Sequence, residues 1–66
     1  MKIDVTKIKL LLAAQELTMS EFANRSGVSR QSICTIMKCG TCRPTTASKL
    51  AKGLRVDVAE IIKRED

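Results

Sequence analysis

The sequence predicts an all-α fold of five short helices, and three observations predict it. Apolar residues recur at i, i+3 and i+4 in successive stretches, the spacing that lines one face of a helix. Polar start signals stand ahead of some of these stretches, most plainly Thr18 with Glu21 and Asp57 with Glu60. Glycine closes others, at Gly27 and Gly40. The 66 residues allow one small domain, residues 1–66, with no interdomain linker, internal repeat or low-complexity segment. A chain of this length buries only about 60% of its unfolded surface, so its packing must be good or shared with another chain. Phe22 is the one aromatic residue, so the core is expected to be aliphatic.

Helix 1 is expected over about residues 5–17, capped by Asp4 or Thr6, with Ile8, Leu11 and Leu12 inward and Ala14 and Leu17 extending the stripe. Lys7, Lys9, Gln15 and Glu16 suit its wet side. The run from Leu10 to Ala14 is wider than one stripe needs, which implies cover on two sides or by another chain. Helix 2, about 19–25, starts at a T-x-x-E capping box and turns Phe22 and Ala23 inward. Gly27 accepts positive φ and redirects the chain. Ser29 is a good N-cap for helix 3, Arg30 to Lys38. Its inward face is Ile33, Ile36 and Met37; Gln31, Cys34, Thr35 and Lys38 face out. Two short helices around a glycine turn make a helix-turn-helix, the unit that places its second helix in the DNA major groove. After a loop through Gly40 and Pro44, helix 4 is expected from Thr45 or Thr46 to about Gly53, burying Ala47, Leu50, Ala51 and Leu54. Asp57 and Glu60 would box a last helix, about 58–63, burying Val58, Ile61 and Ile62.

The net charge is +5, and its distribution says more than its size. No acidic residue lies between Phe22 and Val56, a stretch holding Arg25, Arg30, Lys38, Arg43, Lys49, Lys52 and Arg55. The acids sit toward the ends, at Asp4, Glu16, Glu21, Asp57, Glu60, Glu65 and Asp66. That asymmetry implies one basic face and a polyanionic partner. No stretch approaches the roughly 18 apolar residues of a membrane span. The first residues lack the apolar core of a signal peptide, so a cytoplasmic location is expected. Three cysteines, an odd number, then fit reduced thiols.

The stretch LTMSEFANRSGVSRQSICTIMKCGTCRPTTASKLAKGLRVDVAEII resembles the Cro/C1-type (XRE-family) helix-turn-helix domain of phage repressors and bacterial regulators. Leu17-Thr18, Phe22-Ala23, Gly27-Val28-Ser29, Ile33, Ile36, Arg43-Pro44 and the run from Lys49 to Val56 carry the resemblance, in order. It implies a compact five-helix, lambda-repressor-like DNA-binding domain, usually dimeric on a two-fold-related double-stranded operator. It implies base contacts from Ser29, Arg30, Gln31 and Thr35. The chemistry agrees: Arg pairs with guanine O6/N7, Gln with adenine N6/N7, and the Thr methyl meets a thymine methyl. Phosphates would fall to Ser32, Lys38, Thr41 and Arg43, with the helix 2 amides near Thr18 and Met19. The chain departs from the family pattern in two respects. Met19 stands where many members have a Gln that helps hold the backbone near the bases. Leu12 and Met37 stand where many members bury an Arg–carboxylate pair, and their apolar contact is expected to replace it.

Other readings are weaker. Cys39-x-x-Cys42 with Cys34 invites zinc or redox chemistry, but a structural zinc needs four ligands and the chain has three Cys and no His. No His, carboxylate pair, phosphate loop or Ser–base constellation supports catalysis, so no enzyme, cofactor, metal or small-molecule ligand is expected. The expected function is sequence-specific DNA binding by a repressor-like transcriptional regulator of phage, mobile-element or bacterial genes. A homodimer is expected, its seam drawn from Arg55, Val56, Val58, Ile61 and Ile62. The rivals are a protein-interaction module on the same fold and a thiol-responsive regulator.

Overall fold

Four of the five expected helices form, in chain order: α1 (Val5–Ala14), α2 (Met19–Ser26), α3 (Arg30–Cys39) and α4 (Pro44–Leu54). The computed structural model describes residues 1–63; Glu65 and Asp66, two of the terminal acids, lie outside the described residues. The start and stop signals account for most boundaries. Asp4 caps α1 by accepting from the Lys7 N–H at 3.0 Å. Thr18 and Glu21 form the full capping box of α2, and Ser29 caps α3. Gly27 and Gly40 both take the left-handed conformation, at φ 74° and 73°.

Two boundaries, the end of α1 and the start of α4, differ from expectation for reasons the structure shows. α1 stops at Ala14, three residues early, because Glu16 turns to a φ of 54°. The turn sends Leu17 back onto the core, its N–H donating to the Leu12 carbonyl. Ala14, expected in the stripe, is exposed. Gln15, expected on the wet side, is half-buried and donates its side-chain N–H to the Leu54 carbonyl at 2.6 Å. It ties the end of α1 to the end of α4. α4 begins at Pro44, before both threonines, since proline at the first position presets φ and lacks an N–H that would be orphaned anyway.

The last helix is only a 3-10 turn, Val58–Glu60. Asp57 caps it through the Ala59 N–H, but Glu60 does not complete a box. Its carboxylate instead meets the Lys7 ammonium at 3.6 Å. Ile62 and Lys63 leave the helical path because the N-terminal segment offers them backbone partners. That segment lies between two others. Ile3 N–H donates to the Gly40 carbonyl, and Cys42 N–H to that of Met1. On the opposite edge, Asp4 N–H donates to the Ile61 carbonyl, and Lys63 N–H to that of Lys2. The alternation of sides is the period of extended backbone.

One core, aliphatic but for Phe22, unites Ile3, Ile8, Leu12, Phe22, Ile33, Ile36, Leu50, Ala51, Leu54 and Ile61. Leu12 lies in that core and Met37 packs against it from α3, so both members of the expected apolar pairing point inward. The residues of the expected dimer seam differ in exposure within the single chain. Ile61 is 0% exposed within its own chain and has no surface to give another. Val56 and Val58 are half-buried against the same core, while Arg55 is exposed. The large apolar side chain most open to solvent is Leu10, at 63%.

Candidate nucleic-acid interface

The turn between α2 and α3 sets the site. Left-handed Gly27 reverses the chain, and Ser29 starts α3 by accepting the Ser32 N–H at 3.2 Å. The Ser29 hydroxyl also donates to that of Ser32, at 2.8 Å. Ser29 is therefore engaged first in holding the helix start. Arg30, Gln31, Ser32, Cys34, Thr35 and Lys38 are all exposed, while Ile33 and Ile36 are buried. The helix is thus divided into an apolar face that anchors it and a polar face that meets solvent. Thr35 donates its hydroxyl to the Gln31 carbonyl at 3.1 Å, which leaves its methyl and oxygen lone pairs for an outside partner.

Beside this face, α3 and α4 enclose an open cleft of about 600 Å³. It gathers Ser29, Gln31, Ser32 and Thr35 with Arg43. Thr46 and Lys49 of α4, absent from the expected site, form its far wall. No carboxylate lines it. Both additions were detectable: they sit one helical turn apart, flanking the buried stripe of Ala47, Leu50 and Ala51. Cys42 also lines the cleft, half-buried, and burial pushes its thiol pKa up. The two other cysteines, Cys34 and Cys39, are exposed.

Some expected residues lie apart from the cleft. Arg30 and Lys38 are exposed on α3 but do not line it. Thr41 belongs to a second depression, shared with Asp4 and the N-terminal segment. At the start of α2, the Thr18 N–H already donates to the Glu21 carboxylate at 3.1 Å. That bond first, and the Thr18 hydroxyl second, hold the Glu21 pKa below the usual carboxylate value. Of the two expected donors there, the Met19 amide is the one left open. The Met19 side chain is half-buried against the core.

A capped helix pair around a left-handed glycine, with its second helix polar outward beside an acid-free cleft, defines a helix-turn-helix DNA-binding domain. Over residues 7–66 the chain matches the Cro/C1-type HTH DNA-binding domain, and it belongs to that family. No curated protein and no solved structure matches it. Its class is DNA binding of the kind used in transcription regulation. Among the described residues, no helix is long and apolar enough to cross a membrane.

Proposed function

We propose that the chain is the DNA-binding domain of a sequence-specific regulator of transcription, a repressor that works in the cytoplasm as a symmetric dimer on double-stranded operator DNA. The observation that carries this reading is the exposed face of α3, Arg30, Gln31 and Thr35, beside a cleft with cationic and hydroxyl groups and no acid. α3 enters the major groove. Arg30 pairs with a guanine edge, Gln31 with an adenine edge, and the Thr35 methyl packs on thymine. Ser32, Lys38 and Arg43 hold phosphates and fix the register, with the Met19 amide and Thr41 at the margins. Regulation is by occupancy: bound protein excludes other proteins from the DNA, and no covalent step is involved. In the dimer the two recognition helices lie roughly 34 Å apart, one turn of the duplex.

Selection from randomised duplex DNA tests the reading. The expected result is a two-fold-related sequence whose half-sites are about 10 base pairs apart. Arg30→Ala should relax the preference at one base position, with a loss of about 1–3 kcal/mol in discrimination. Lys38→Ala should weaken all sequences about equally. Failure to bind any duplex at low salt would remove the DNA reading and leave a protein-binding module on the same fold.

A further inference from the structure

The wall that α4 contributes to the cleft has no part in the base reading assigned above. Of the α4 residues exposed or half-exposed to solvent, Thr46 and Lys49 line the cleft and Lys52 does not. The cleft therefore selects one of two lysines on the same helix, three residues apart. Among the described residues, Lys49 makes no ion pair, and no carboxylate shares its cleft. Among the described residues no carboxylate meets its charge, which stands in a groove whose opposite wall is the polar face of α3. A flexible four-carbon stem ending in a point charge suits a phosphate at variable distance better than a base edge. The flanking Thr46 hydroxyl is a donor suited to the same group.

We propose that this cleft seats the sugar-phosphate backbone of the strand beside α3, with Lys49 as its cationic partner and Thr46 as a hydroxyl donor. This rests on the DNA reading given above. It makes α4 a second positioning element. α3 would then be held from both sides, by its own polar residues and by the helix across the cleft.

Lys49 and Lys52 supply the test, because removing either changes the net charge by the same amount. Binding of the selected duplex is measured for Lys49→Gln, Lys52→Gln and Lys49→Arg across a salt series, with thermal melting to check folding. Lys49→Gln should weaken binding roughly tenfold at 0.1 M salt and lower the salt slope by about 0.9, the value of one phosphate neutralised. Lys52→Gln should leave the slope within error of the parent, and Lys49→Arg should restore it. Equal effects of the two Gln variants would mean that Lys49 acts only through net charge, and would overturn the proposal while sparing the DNA reading. If the parent binds no duplex, both fall together.

Discussion

Gly53 shows how one residue can fix the spacing of two helices without appearing in any apolar pattern. It is buried where α4 meets the end of α2. A Cβ built there would lie 2.9 Å from the Ser26 Cβ and 3.1 Å from the Ser26 nitrogen. The second contact is backbone, so a rotamer change cannot relieve it. Alanine favours a helix interior over glycine by up to about 1 kcal/mol, but overpacking costs about 1–3 kcal/mol. Gly53→Ala is therefore expected to be net destabilising, by about 1–2 kcal/mol. A lower denaturant midpoint at unchanged m-value would show it, and Ser26→Gly in the same chain should recover part of the loss. An unaltered or raised midpoint would mean that the helices part freely. The sequence places Gly53 at a helix end, which is true but incomplete, because close approach is a property of two segments and apolar period describes one. Gln15 was misread for the same reason. Its partner, the Leu54 carbonyl, is 39 residues away, and nothing local marks a polar side chain that closes another helix.

Local signals were most legible at the scale of the element, where cause and effect lie within one turn. The α2 capping box is the clearest instance. Thr18 accepts the Glu21 N–H and Glu21 accepts the Thr18 N–H, both at 3.1 Å. Thr18→Ala should cost about 1 kcal/mol in the denaturation midpoint, the usual loss for such a cap. The coupled titration is the sharper measurement. The Glu21 pKa lies below the usual carboxylate value, first because of the bond from the Thr18 N–H and then because of the Thr18 hydroxyl. A lowered folded-state pKa means that the ionised group stabilises the fold above its ordinary pKa. That contribution fades as pH falls through the lowered value. In Thr18→Ala, which keeps the residue 18 N–H and removes only the hydroxyl, NMR titration should show the Glu21 pKa moving part of the way up toward the ordinary carboxylate value. An unchanged value would show that the hydroxyl half of the box does not contribute to it. Legibility ended where an element depends on its neighbours. Asp57 and Glu60 spell the same box, yet Glu60 turns to Lys7 and the helix lasts one 3-10 turn. On α4, the apolar stripe was correct, but the polar flank at Thr46 and Lys49 acquires meaning only once α3 stands across the cleft.

The whole molecule is closed by a segment in which no periodic signal is readable, residues 1–4. Three or four residues are too few to display alternation, and their partners, 40–42 and 61–63, are distant in the chain. Yet Ile3 is buried in the core, and its strand-like backbone holds the loop after α3 on one edge and the C-terminal segment on the other. The segment thus connects the end of the proposed recognition helix to the rest of the fold. Ile3→Ala removes a buried side chain at a cost of about 2–5 kcal/mol. A chain of this size has only about 3–10 kcal/mol of stability in total, so that loss is a large fraction of it. The effect should also have a pattern. In native-state hydrogen exchange, the amides of Ile3 and Cys42, which pair the segment to the loop, should lose protection together with those of Asp4 and Lys63, which pair it to the C-terminal segment. The amides in the middle of α4, whose partners are within the helix, should follow the global stability alone. If Cys42 keeps its protection while Asp4 and Lys63 lose theirs, the two edges open independently, and the N-terminal segment does not couple the end of α3 to the C-terminal part of the core.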